Sequence, residues 1–220
     1  MIKQFLLTIF VTLCLTSYSQ IKSDGVIVND AFISYINITI KMPVYVKYKL
    51  YKGGGKCERS NKWINDSKYD LIRDSSYAAS GYEKGHLANA EDFAYDCHLD
   101  SLTFNNYNRL PQTKALNRGI WKKREAEIRA LSQKDSLLII CGGYWETNSQ
   151  TKIKGMLIPS RCWKVVYSLT TEQVVMAYLY TNTENPSEIS MSVSNLEALL
   201  GYSISMPPRE KKKKVKKSKK

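Results

Sequence analysis

Only two imidazoles occur in the chain, His86 and His98. His86 lies in SGYEKGHLANAEDF, between a glycine and a run of small and acidic residues. A histidine is neutral for much of the range near pH 7, which suits it to take a proton as a general base. Further on, Asn117, Trp121, Glu125 and Arg129 recur at every fourth position. On an α-helix that spacing makes one inclined row, each residue about 40° round from the last. An amide oxygen and a carboxylate suit a hard cation such as Mg²⁺. An arginine suits a phosphate through its planar donor fork. The same spacing equally describes a solvated helix face with a Glu125–Arg129 ion pair, worth about 0.3–0.5 kcal/mol. Spacing alone leaves both readings open.

The elements that must hold these residues are partly legible. Residues 26–40 and 43–51 are rich in Val, Ile and Tyr, and the second stretch alternates, with Val44, Val46, Tyr48 and Leu50 on one face. That is a strand pattern, broken at Gly53–Gly55. Residues 56–81 are polar throughout and read as a long loop, a feature more often functional than idle. Residues 87–90 are ambiguous between turn and short helix. A helical pattern covers 113–131, Leu137–Ile140 reads as a buried strand, and 156–168 with 173–181 as a strand pair. Val193–Leu200 reads as a short helix stopped by Gly201. Several strands with inserted helices, and no internal repeat, predict an α+β fold.

Taken together, the two chemical segments resemble the DNA/RNA non-specific endonucleases, the ββα-metal nuclease family. The likeness is carried by Arg59-Ser60-Asn61, by Tyr82-Glu83-Lys84-Gly85-His86-Leu87-Ala88-Asn89-Ala90, and by Tyr107-Asn108-Arg109-Leu110-Pro111-Gln112. Leu116-Asn117-Arg118-Gly119-Ile120-Trp121, Glu125 and Arg129 complete it. It spans roughly residues 43–202 and implies a central antiparallel sheet with a catalytic helix and flanking helices. It implies Mg²⁺, with Mn²⁺ as a substitute, and both DNA and RNA as substrates. His86 would be the general base and Asn117 the direct protein ligand of the metal. Glu125 would orient water around that ion. Arg59 and Arg129 would grip the phosphate and favour the charge of its transition state. The alternatives are a catalytically impaired relative that binds nucleic acid, or a nuclease toxin, for which an inhibitor protein is a partner to expect.

This chain also departs from the family pattern. Lys84 stands where arginine is usual, keeping the charge but losing the bidentate fork. Glu83 replaces an aspartate, Asn89 a proline and Tyr107 a serine. None of these removes the base or the metal ligand. His98 matches nothing and reads as a surface or core residue. Arg109 and Arg118 are expected to face solvent or nucleic acid without a catalytic role, and Trp121 to pack.

The 220 residues suit one domain, with 43% hydrophobic and 24% charged residues, which excludes a disordered or collagen-like chain. Residues 1–19 have a lysine near the start, then an apolar run from Phe5 to Leu15 and small residues Ser17 and Ser19. That is a signal-peptide pattern, too short for stable membrane insertion, and predicts an exported protein, periplasmic or secreted. A domain over 20–206 follows, then a polybasic tail over 207–220 expected to be disordered. The tail holds eight lysines; without these and Lys3 the net charge falls from +13 to +4. Such a tail suits a polyanion. Export permits disulfides among Cys57, Cys97, Cys141 and Cys162. Adjacent strands at Cys141 and Cys162 would favour pairing those two, and hence Cys57 with Cys97; free buried thiols are the alternative.

Overall fold

The structure is a computed structural model and describes residues 20–66, 68–146 and 150–204. The expected leader and the polybasic tail lie outside the described residues. Seven antiparallel strands form the main sheet, in the order β1 (Gly25–Val28), β2 (Ile33–Asn37), β3 (Met42–Leu50), β6 (Leu137–Tyr144), β9 (Arg161–Ser168), β10 (Gln173–Thr181) and β11 (Glu188–Ser190). The centre is β6, LLIICGGY, buried along its whole length. A strand buried on both faces needs a continuous apolar run rather than alternation, and this one has it.

The pleat sends successive side chains to opposite faces, and each face meets its own layer. On one side Tyr45 of β3 and Trp163 of β9 have ring centroids 6.1 Å apart. There Tyr45 stacks on Tyr202, which follows helix α4 (Val193–Leu200). Ser192 caps α4 by accepting from the Asn195 amide, and Gly201 ends it at φ +69°, the left-handed conformation glycine adopts without steric cost. On the other side Tyr48 and Lys164 face the layer that carries the chemistry. That layer holds α1 (Cys97–Leu102) and a two-stranded ribbon of β4 (Glu83–His86) and β5 (Arg109–Gln112). A helix follows β5 in three pieces: α2 (Lys114–Leu116), a wider turn at Asn117–Trp121, and α3 (Lys122–Ser132). A hairpin of β7 (Thr151–Ile153) and β8 (Met156–Ile158) completes the fold. No helix among the described residues is long and apolar enough to cross a membrane.

Several expectations need correction. The 26–40 stretch is two strands, not one, because Asn29 Oδ1 accepts from the amides of Ala31 and Phe32 and turns the chain. The 156–168 stretch is likewise divided, at Pro159 and Ser160. Cys141 and Cys162 are buried free thiols. Their strands are neighbours, but Cys141 pairs with Lys164 and Cys162 with Gly143. The two cysteines are therefore diagonal, and each thiol has another partner: Cys141 Sγ donates to Leu87 O, and Cys162 Sγ accepts from Gln112.

The expected Cys57–Cys97 bond does form, with Cα atoms 5.3 Å apart. It fastens the long irregular segment after β3 to the first turn of α1. Gly55 is required beside it. Its φ is +150°, and a Cβ there would sit 1.9 Å from Ala94 O. Farther along, Ile64 is bracketed by backbone bonds from its amide to Phe104 O and from the Asn106 amide to Ile64 O. The crosslink joins residues 40 apart, a loop length for which the chain-entropy account gives about 4 kcal/mol. Cys97→Ser should therefore lower unfolding free energy by about 2–4 kcal/mol, as read from urea titration of the oxidised protein. An unchanged midpoint would mean that the segment is held without the crosslink.

Candidate active site

The ribbon and the helix that follows it build one wall. The backbone register sets His86 opposite Arg109 and Lys84 opposite Pro111. Gly85 between them has no side chain because a Cβ would lie 2.1 Å from the Gln112 amide oxygen. Thr113 caps the next helix by accepting from the Leu116 amide. A cleft of about 330 Å³ opens here, lined by Arg59, Lys84, His86, Asn117 and Glu125, with Asn89, Glu91, Arg118 and Lys122 completing it. Five of the six residues singled out in the sequence thus meet in one place. Arg129 is not among the lining residues. Its guanidinium binds Asp92 at 2.8 Å and Glu91 at 2.5 Å.

His86 is buried, and its Nε2 has no hydrogen-bond partner among the described residues. Trp63 lies against the imidazole at 4.5 Å between centroids and Phe104 meets it edge-on at 4.9 Å. The Trp121 indole N–H donates to the His86 carbonyl at 3.3 Å. Burial, with the positive charges of Arg59, Arg109 and Lys84, holds the imidazole well below its usual range. A proton on this ring is disfavoured, so the ring is a neutral acceptor at pH 7.

Asn117 does not sit on the straight ridge expected for it. The chain leaves helical dihedrals at Gly119 (φ −94°, ψ −113°), inside the wider turn. Asn117 is therefore offset from Glu125 and Arg129, which share α3. Such turns within helices recur at functional sites. Glu83 accounts for the amide's direction. It accepts from Asn117 Nδ2 at 2.9 Å and pairs with Arg118 at 2.6 Å. With its NH₂ group so engaged, the carboxamide oxygen is the atom left for another partner.

Glu125 is buried, and its carboxyl is pushed up to about 7 by that burial, with Lys164 acting against the rise. Asp92, also raised by burial, accepts from Tyr48 Oη at 2.9 Å and from Arg129. Arg109, expected at the surface, is 1% exposed. It donates to Asp74 and to Ile72 O, between the rings of Trp63 at 4.7 Å and Tyr77 at 4.9 Å. Its aromatic neighbours and one acid offset the cost of burying it. Asp74 also takes Lys84 Nζ at 2.6 Å, so the lysine's position is fixed by an acid that the sequence did not single out. Arg59 lies over the Phe104 ring at 5.2 Å, and its Nε donates to Asn61. His98 is at the surface, 3.6 Å from Asp30, and Trp121 is packed in the core, both as expected.

Sequence reasoning missed Asp74, Asp92, Trp63 and Lys164. Lys164 left a trace: it is a lone charge inside the apolar run CWKVV.

Comparison with known proteins identifies the family and the fold. The family model for DNA/RNA non-specific endonucleases matches residues 12–209. A nuclease of Nostoc sp. is 30% identical over 167 residues, covering 67% of this chain and 61% of its own length. A nuclease of Serratia marcescens is 27% identical over 159 residues, covering 66% and 59%. The matched chain thus spans about three fifths of each relative. EndoG, solved in complex with EndoGI in a study of EndoG inhibition, superposes with a TM-score of 0.70 at 19% identity, covering 80% of this chain and 83% of that one. That likeness speaks to the fold: a mixed α+β architecture around a large antiparallel sheet. A match across 12–209 takes in the whole ribbon, helix and sheet, and the chain belongs to the DNA/RNA non-specific endonuclease family.

Proposed function

We propose that the protein is an exported endonuclease that hydrolyses phosphodiester bonds in DNA and RNA with the help of a divalent cation. The observation that carries this reading is the unpartnered His86 Nε2, kept neutral, in a cleft that also holds two carboxamides, two carboxylates and several cations. His86 takes a proton from water as its oxygen bonds to phosphorus. The P–O3′ bond breaks, the 3′ oxygen acquires a proton from solvent, and the phosphate stays on the 5′ end. Arg59 and Lys84 supply positive charge beside the phosphate, Lys84 as a point charge steadied by Asp74. Arg129 acts from behind, holding Glu91 at the rim.

The residues present fit a hydrated hard cation. Among the described residues no three His, Cys, Asp or Glu side chains gather into a cage. A carboxamide oxygen and nearby carboxylates with room for solvent suit Mg²⁺, which keeps most of its waters. Asn117 and Glu125 are the residues that would hold it, Asn117 directly and Glu125 through water. When bound, the cation supplies charge that stabilises the transition state and the departing oxygen. The Cys57–Cys97 bond supports export, since such bonds persist in oxidising compartments. By analogy with the EndoG complex, an inhibitor protein is a partner to seek.

The expected result is nicking and then linearisation of supercoiled plasmid by the mature protein with Mg²⁺, and no cutting in excess EDTA. Retarded but intact plasmid would instead identify a binding protein, and undiminished cutting in EDTA would remove the cation from the reaction.

A further inference from the structure

Lys164 has no part in the chemistry above, yet it stands directly beneath it. It rises from β9, flanked by β6 and β10 in the body of the sheet. Only 2% of its side chain reaches solvent. Its Nζ is 3.7 Å from Glu125 Oε1 and 4.0 Å from the Trp121 ring centroid. That ammonium has no hydrogen-bond partner among the described residues. Lysine is among the side chains least often fully buried, and desolvating an ammonium is costly even beside an acid. A Met or Leu would fill the space with less penalty, so packing does not account for the charge.

The groups around Glu125 form a balanced set. Lys164 comes from the sheet, Asp92 and Glu91 from the turn after β4, and Arg129 from one helical turn along α3. Arg129 is committed to Asp92 and Glu91. Lys164 is thus the cation that faces Glu125 from the interior.

We propose that Lys164 is a positioning residue, an internal counter-ion that fixes the direction of the Glu125 carboxyl toward the cleft. The use made of that carboxylate rests on the function proposed above; the pairing itself does not.

Two measurements on the full chain separate these. In the first, urea unfolding is followed in a double-mutant cycle of Lys164→Met and Glu125→Gln. The two changes should not add: Lys164→Met alone should lower the unfolding midpoint, the same change in a Glu125→Gln background should no longer do so, and Lys164→Arg should leave the midpoint near the wild-type value. Strictly additive shifts would mean that the two side chains do not act on each other and would overturn the proposal. If Lys164→Met does not fold, Lys164→Gln removes the charge at similar length and is read in the same way. In the second, plasmid cleavage by Lys164→Met should show kcat lowered about tenfold or more with KM little changed. That loss should vanish in a Glu125→Gln background; its persistence there would show that Lys164 acts elsewhere and defeat the proposal. Should no form of the protein cut nucleic acid, the functional reading fails while the unfolding cycle still decides the pairing.

Discussion

His86→Ala lowers kcat/KM for plasmid cleavage by about 10²–10⁴-fold, the range a positioned general base supplies. The fold should survive, because the ring's contacts are to Trp63 and Phe104 at one end of the ribbon, while the backbone pairing of β4 with β5 does not need it. Circular dichroism and thermal melting check that separately. The wild-type pH profile carries a second expectation. The imidazole is held below its usual range, so its basic form is present above that lowered value and is lost only as pH falls through it. Titration of His86 therefore contributes no fall in rate between about pH 6.5 and 8; a change of rate in that window belongs to Glu125, whose carboxyl is pushed up to about 7. Full activity in His86→Ala would transfer the base to another group.

Asn117→Ala is the second large effect. It removes the carboxamide oxygen and leaves Glu83 without the amide it now accepts from. We expect at least about a 10²-fold loss at fixed Mg²⁺, accompanied by weaker cation binding in calorimetry. Loss of rate with unchanged cation affinity would move the ligand elsewhere and leave Asn117 a substrate contact. The two variants thus fail differently: His86→Ala keeps its cation and Asn117→Ala does not.

The sequence discloses most clearly what local physics decides. Leu137–Ile140 reads as a buried strand because the run is apolar, and Gly201 reads as the end of α4 because a left-handed stop is a local device. The ribbon that carries His86 was illegible as a pair of strands. EKGH and RLPQ are four residues each, far apart, without alternation, and one contains Pro111, which ordinarily argues against a strand. They pair because tertiary packing brings them together. The motifs around His86 and Asn117 were recognisable, but the straight ridge drawn through Asn117, Glu125 and Arg129 ignored the break at Gly119. Arg109 looked like a surface charge because nothing nearby in the chain shows that Trp63, Asp74 and Tyr77 enclose it. Charges paired across the fold, as Asp92 is with Arg129, leave little local mark.

The covalent tie between Cys57 and Cys97 has a consequence for the cell that makes this chain. Arg59 lies two residues past Cys57, so the arm that reaches the cleft is anchored at its root by a bond that forms only where thiols are oxidised. Inside a reducing cytoplasm that arm keeps its backbone bonds, from the Cys57 amide to Ala94 O and around Ile64, without the covalent root. For an exported protein, the catalytic apparatus is then least complete while the producer's own chromosome is within reach, and becomes whole on departure.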